Sequence, residues 1–291
     1  MGITKQDIHE IRQITDAPIL KCKKALEEAG GDKERAIEIL REMGTATAQK
    51  KGARVACEGV VAIKMQDQQL IILEVNSETD FAAKNEFFKN FVSQVANTIM
   101  DSDVNDVQGL SDIKLETGQT LEATRQELVG KIGENIQVRR FEKMVADEGL
   151  LAFYQHGEKI GVIVKLAKGS ADIGRDVAMQ IAATNPSALN KDQMDPKLIA
   201  KEREIFQSQV DGLNKPENVL ENIINGKLNK FINENTVLGQ AFVKDPKLSV
   251  GDYLKQNDTE VESYIRFELG EGIEKKTVSF ADEVEQAKGS V

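Results

Sequence analysis

A carboxylate and an aromatic ring stand side by side where a predicted strand gives way to a predicted helix. Asp80 and Phe81 follow an apolar run over residues 70–75, and the polar residues 76–79 supply turn and N-cap chemistry. Two kinds of chemistry fit these residue types. Asp80 could work with Glu78 as the carboxylate pair of a hydrolase, or Phe81 could project as an anchor into a partner protein.

Each of the two residues also has an ordinary structural interpretation. Asp80 alone fits a helix N-cap or the first helical turn, where aspartate is favoured, and Phe81 alone fits the core. Neither interpretation explains why the two are adjacent, because a side chain next to a cap is directed away from the core unless the turn bends. We therefore expect at least one of them to face solvent or a partner.

The motifs of common enzymes are missing from the chain. There is no G-x-S-x-G, no H-E-x-x-H and no Walker-type loop, and no nucleophile accompanies Asp80 and Glu78. The glycine-rich stretch 270–272 is predicted to be a tight turn, because its acidic neighbours would repel a phosphate. Cys22 and Cys57 lack zinc-site spacing and are predicted to be reduced structural thiols. We predict no catalytic residues, no metal site and no cofactor.

The bulk composition narrows the class of protein. The 291 residues are 40% apolar, with a mean hydropathy of -0.37, and imply two or three globular domains. No apolar run reaches the length of a membrane span, and no signal peptide is recognisable. The net charge of -10 opposes binding to phosphate backbones. We expect a cytoplasmic protein that binds neither nucleic acid nor membrane.

The N-terminal region is predicted to form three short helices. Ile8, Ile11 and Ile14 have helical spacing, and a second apolar run covers residues 19–29. Gly30 and Gly31 supply a helix C-cap, and residue 32 is an aspartate that can cap a third helix over residues 34–43. The basic residues 48–54 are predicted to be a linker or a frayed helix end.

An internal duplication organises the core. The pattern of residues 58–63 recurs 90 positions later in residues 148–153, and the correspondence extends through a second strand into a helix. Each copy ends in an alternating third strand, over residues 136–141 and 263–268. The sequence therefore predicts an α+β core of two antiparallel strand–strand–helix units.

The second copy carries an insert between residue 186 and the segment near residue 239. Two apolar seams separated by a turn at residues 214–216 predict an antiparallel helical hairpin. The hairpin could be a projecting arm or could pack flat on the core. Residues 278–291 are predicted to form a last helix.

Three motifs in this order resemble one known family, translation elongation factor Ts. The motifs are Cys22-Lys23-Lys24-Ala25-Leu26 with residues 11–15, Glu74-Val75-Asn76-Ser77-Glu78-Thr79-Asp80-Phe81, and Lys131-Ile132-Gly133-Glu134-Asn135-Ile136. The resemblance covers essentially the whole chain. It implies a ubiquitin-associated-like helical module at 1–54, core subdomains at 55–141 and at 142–186 with 228–270, a coiled-coil hairpin at 187–227 and a C-terminal module at 271–291.

The resemblance also implies a function in which the protein makes and breaks no covalent bond. Members of the family are guanine-nucleotide exchange factors for elongation factor Tu, which they bind in its GDP-bound and nucleotide-free forms. By resemblance, Thr79, Asp80, Phe81 and Ala82 would enter beside the Mg²⁺ of the partner and displace it. The partner-binding residues implied in the same way are Ile19, Leu20, His156 and Gly157.

The chain departs from the family pattern at four positions. The family usually has glycine at Asp16, aspartate at Lys21, cysteine at Ser77 and valine at Ala82. The charge reversal at Lys21 affects the polar part of the N-terminal contact, and Ala82 should pack less than valine. Two other functions stay open on the residues: a non-catalytic adaptor or chaperone, and the hydrolase that would use Asp80 with Glu78.

Overall fold

The computed structural model describes residues 3–115, 117–213 and 215–274 and folds them as an α+β protein, as the sequence predicts. The chain divides into two units. One contains the described parts of Met1–Ala62, Leu73–Phe141 and Glu268–Val291, and the other contains Ile63–Ile72 with the described part of Glu142–Phe267. The finer boundaries implied by the family resemblance stay predictions.

The chain begins with three helices, α1 (Lys5–Thr15), α2 (Ile19–Glu28) and α3 (Lys33–Lys51). Their shared core includes the fully buried side chains of Ile11, Cys22 and Leu26. The predicted caps are present: Gly30 and Gly31 adopt positive φ after α2, and the Asp32 carboxylate accepts the N–H of Arg35 at 3.0 Å.

The first three-stranded sheet has the order β1-β2-β3. The strands are β1 (Glu58–Gln66), β2 (Gln69–Ser77) and β3 (Ile136–Val145). Between β2 and β3 lie the helices α4 (Asp80–Ala83), α5 (Glu86–Met100), α6 (Val107–Ser111) and α7 (Leu121–Ile132). The sequence pattern does not predict α6 and α7.

One sequence prediction in the helical region is wrong. Residues 48–51 are neither linker nor frayed end, because α3 continues to Lys51. The extension is explained by helix packing: a Cβ on Gly130 of α7 would lie only 3.0 Å from the Cα of Gly44, so the two helices cross at small residues.

The second three-stranded sheet repeats the first. Its order is β4-β5-β8, from β4 (Leu150–His156), β5 (Ile160–Lys168) and, after α8 (Ala171–Thr184), the distant β8 (Glu260–Glu268). β4 and β5 pair antiparallel, with His156 opposite Ile160. Each copy opens on a glycine with positive φ, Gly59 or Gly149. A Cβ there would also lie only 2.1 or 2.0 Å from a carbonyl oxygen, so both positions require glycine. The duplication seen in the sequence is a duplicated fold.

The insert is a helical hairpin of α9 (Pro196–Val210) and α10 (Glu217–Asn235). The two helices pack chiefly on each other, with an edge-to-face contact of Phe206 and Phe231 at 6.5 Å. Ile232 packs with Ala188 and Met194 at the base of the hairpin. This arrangement favours the arm interpretation.

The remaining elements follow the hairpin. A small antiparallel sheet of β6 (Ala241–Phe242) and β7 (Asp245–Ser249) leads to α11 (Val250–Gln256), and the sequence pattern predicts none of the three. The predicted helix over residues 278–291 lies outside the described residues. No helix in the described ranges is both long and apolar enough to cross a membrane.

One fully buried carboxylate, that of Glu74 in β2, joins three parts of the first unit. It accepts hydrogen bonds from Arg139 Nη1 at 2.9 Å, Arg140 Nε at 2.7 Å and the Gly270 N–H at 2.8 Å. Burial raises the pKa of Glu74, but the bonds from Gly270 and the two arginines outweigh burial and hold it below its ordinary value. The predicted turn at residues 270–272 is confirmed, and it closes on this carboxylate.

The first prediction concerns stability. We expect Glu74→Gln to lower the free energy of unfolding by about 3 kcal/mol, because it leaves two arginines with a weakened buried partner. The cost falls at the low end for buried ion pairs, since both arginines keep some access to water. Urea unfolding measures the change. Glu262→Gln, which breaks the exposed pair with Lys165, is the control and should cost less than about 1 kcal/mol; equal losses would contradict the prediction.

The second prediction concerns pH. The native pKa of Glu74 is depressed, so its contribution to stability is complete above the unfolded glutamate pKa of about 4.3 and is lost as pH falls through the native pKa. The difference in unfolding free energy between the wild type and Glu74→Gln should therefore be constant from about pH 5 to 7 and shrink below. Urea titrations at several pH values test this sign; a difference that grows on acidification would refute it.

Candidate functional site

The loop after β2 is built by two successive helix caps. Thr79 Oγ1 accepts the N–H of Ala82 at 3.2 Å and starts the four-residue helix α4. Asn85 Oδ1 then accepts the N–H of Phe87 at 2.9 Å and starts α5. Asp80 is therefore in the first turn of α4, which confirms one of its two structural interpretations, while Thr79 is the cap.

Asp80 and Phe81 both face outward from this short helix. Phe81 is 79% exposed, and the Asp80 side chain is 52% exposed. Ala82 and Ala83 are the buried residues of α4. The core interpretation of Phe81 is wrong, because the buried face of this single turn is already taken by the two alanines.

Lys84 contacts both exposed side chains. Its Nζ lies 2.7 Å from Asp80 Oδ2 and 5.8 Å from the centre of the Phe81 ring. The hydrogen bond from Lys84 holds the pKa of Asp80 below its ordinary value, so the carboxylate is ionised at neutral pH. Such an exposed ion pair is weak and can be exchanged for a contact with another molecule.

The loop is tied to the turn between α7 and β3 by two reciprocal carboxylate contacts. Glu134 accepts the Thr79 N–H at 2.9 Å and the Thr79 hydroxyl at 2.8 Å. In the other direction, Glu78 accepts the Asn135 N–H at 2.7 Å and lies 3.3 Å from Arg54. We call these four residues, Glu78, Thr79, Glu134 and Asn135, the loop clamp.

The loop clamp weighs against the hydrolase. Glu78 is held by Asn135 and Arg54, while Asp80 pairs with Lys84, so the two carboxylates have separate partners. In the part of the chain that the structure describes, no three His, Cys, Asp or Glu side chains are grouped to hold a metal ion. In the sequence, residues 131–136 stand out only as a family motif, and no local pattern indicates that Glu134 contacts Thr79.

The apolar residues proposed for partner binding lie on the N-terminal helices. Ile19 and Leu20 begin α2 and are 54% and 80% exposed, and Ile14 is exposed nearby in sequence. Of the departures from the family pattern, Asp16 takes the left-handed φ of 52° that glycine adopts without strain. Lys21 donates to the carbonyl of Gly130 at 2.6 Å.

The second proposed pair lies in the other unit, at the β4–β5 turn. His156 is exposed, and its Nδ1 lies 3.3 Å from the Tyr154 hydroxyl. Gly157 has a φ of 58°, so the turn requires a left-handed residue there.

The cysteines fit their predicted structural role: Cys22 is buried, and Cys57 is half-buried with a free thiol.

Comparisons with known proteins identify relatives of this chain. Residues 78–271 match the family model described as "Elongation factor TS". The "Elongation factor Ts" of Hydrogenovibrio crunogenus is 45% identical over 293 residues, covering 100% of this chain and 99% of the relative. That of Legionella pneumophila strain Philadelphia 1 is 44% identical over 95% of each chain, and that of Thioalkalivibrio sulfidiphilus is 44% identical over 100% of each.

These matches cover the loop, the duplicated core and the hairpin. The chain is therefore a translation elongation factor. More particularly, it belongs to the elongation factor Ts family.

The third prediction separates the role of Phe81 from folding. Phe81→Ala should change the free energy of unfolding by less than about 0.5 kcal/mol, because the ring is mostly in water already. Phe88→Ala, seven residues away in a fully buried position, should cost about 3 to 5 kcal/mol. Urea unfolding of both variants tests the contrast, and a comparable loss for Phe81→Ala would place its ring in the core.

Proposed function

We propose that this protein is a guanine-nucleotide exchange factor for elongation factor Tu, acting in the cytoplasm during translation elongation without bond chemistry of its own. The observation that carries the proposal is an exposed Phe81 beside an ionised Asp80 on a fixed helical turn. Family membership supports the same partner. The protein would bind both the GDP-bound and the nucleotide-free partner, and neither nucleic acid nor membrane is part of the proposal.

Phe81 acts as the wedge. Burying an exposed aromatic ring against a partner stabilises the complex. Full burial of such a ring contributes roughly 1.5 to 3 kcal/mol to the binding free energy. In the proposal, the ring enters between helices of the nucleotide-binding domain of the partner. The energy gained on entry offsets the distortion of the GDP site.

Asp80 acts on the metal. Mg²⁺ bridges the phosphates of a bound nucleotide and offsets their charge, and it takes oxygen ligands in strict octahedral geometry. A carboxylate brought close to that shell competes for its water and side-chain ligands. Asp80 can leave its exposed pair with Lys84 at little cost, so it is available for this contact. Thr79 and Ala82 flank Asp80 and Phe81 in the sequence and support these two residues in the contact.

Exchange then follows from linkage. A factor that lowers the affinity of the partner for GDP must itself bind less tightly once nucleotide returns, because the coupling free energy is reciprocal. Incoming GTP therefore expels the factor. In the proposal, Ile19 and Leu20 supply apolar contact to the GTPase domain, and His156 and Gly157 contact another domain of the partner.

The fourth prediction tests the function directly by labelled-GDP release from elongation factor Tu. Wild-type protein should accelerate release, and Phe81→Ala should slow it about 10- to 100-fold at saturating concentration, the equivalent of the lost burial. Leu20→Ala should mainly raise the concentration needed for half-maximal effect. Val243→Ala removes a 44% exposed apolar side chain outside the proposed site and is the matched control.

The outcomes separate the candidate functions. Stable binding of elongation factor Tu by the wild type without faster GDP release would identify an adaptor and refute exchange. Full activity of Phe81→Ala would show that the ring is idle.

A further inference from the structure

We infer that Glu134 is a positioning residue for exchange: it orients Asp80 and Phe81 by holding Thr79 from a distant part of the chain. The inference rests on the proposed function of the loop. Nothing in the local sequence pattern assigns this role to Glu134, which lies 55 residues from Thr79 along the chain.

The contact uses both hydrogen-bond donors of Thr79, its backbone N–H and its hydroxyl. The two carboxylate oxygens of Glu134 accept separately, one from the Thr79 N–H at 2.9 Å and one from its hydroxyl at 2.8 Å. The same hydroxyl oxygen accepts the Ala82 N–H at 3.2 Å. Glu134 therefore fixes the rotamer of the side chain that caps α4 and, through it, the helical turn that carries Asp80 and Phe81.

The short helix needs such an anchor. Four residues are far too few for a stable isolated helix, so α4 depends on its surroundings for a defined orientation. Phe81 is mostly exposed, and the ion pair of Asp80 is with Lys84, a residue of the same segment. Besides the buried Ala82 and Ala83, the capping residue Thr79 links α4 to a distant part of the chain through Glu134.

Glu134 is itself held firmly. It follows Gly133, whose φ of 83° ends α7, and precedes Asn135, which is 1% exposed. Asn135 donates its N–H to Glu78 at 2.7 Å and its side-chain amide to the Arg54 carbonyl at 2.8 Å. The loop and the turn thus each place a carboxylate on a backbone N–H of the other, which fixes their separation and register.

A positioning role predicts a particular order of variants. Glu134→Gln keeps the length and can keep both contacts, because its carbonyl can accept the Thr79 N–H while its amide donates to the Thr79 hydroxyl oxygen. Glu134→Ala removes both. The rate of GDP release at saturating factor should fall about tenfold for Glu134→Ala, as expected when hydrogen bonds to a charged group are lost. It should fall little for Glu134→Gln. The half-saturating concentration should change less, since Ile19 and Leu20 are untouched.

The experiment measures labelled-GDP release from elongation factor Tu against factor concentration for these variants. Glu86→Ala, which removes an 81% exposed carboxylate near the same loop, is the control and should behave as wild type. A double-mutant cycle with Thr79→Val asks whether Glu134 acts through Thr79: the combined loss should be smaller than the product of the single losses. Hydrogen exchange at the Thr79 amide should accelerate in Glu134→Ala and stay slow in Glu134→Gln.

The results distinguish this inference from the function on which it rests. A wild-type protein that does not accelerate GDP release overturns the proposed function and the role of Glu134 with it. An active wild type with an equally active Glu134→Ala overturns the positioning role alone. Independent effects in the cycle, or unchanged exchange at the Thr79 amide in Glu134→Ala, also overturn it.

Discussion

A buried carboxylate is stable only when hydrogen-bond donors surround it, and the carboxylate of Glu74 imposes this requirement on the first unit. Its carboxylate stays ionised because Arg139, Arg140 and the Gly270 N–H all point at it. Those donors come from β3 and from a turn 196 positions after Glu74 in the chain, so pairing this one side chain fixes three segments relative to one another. β2 ends at Ser77, three residues after Glu74, so the loop that carries Asp80 and Phe81 begins directly after a strand that this buried charge holds in place.

In the proposed function, different residues of the same short segment provide stability and partner contact. The buried strand and the loop clamp hold the backbone, whereas Asp80 and Phe81 remain in water and contribute little to folding. The duplicated fold makes the same point. In the second copy, β5 ends at Lys168 and α8 begins at Ala171, leaving no room for a counterpart of α4. The scaffold is repeated, and the exposed turn is present in only one copy.

Local signals predicted the parts of the fold that local physics controls. The caps at Gly30 and Asp32, the duplicated strands and the hairpin could all be found from residue types and spacing. Contacts between distant residues could not. α3 extends past its apolar pattern because Gly44 meets Gly130, and Glu134 reaches Thr79 across 55 positions. The adjacency of a carboxylate and a ring marked the site, yet only their exposure showed that both face outward.

In the proposed function, the ring of Phe81 enters the nucleotide-binding domain of a partner GTPase. A photoreactive phenylalanine analogue at position 81 tests this contact, because the substitution keeps the ring and reports what lies against it. Irradiation with GDP-bound elongation factor Tu should crosslink position 81 to the domain that holds GDP and Mg²⁺, and added GTP should suppress the crosslink. A crosslink to another domain, or none while the two proteins remain bound, would show that the ring does not enter the nucleotide-binding domain.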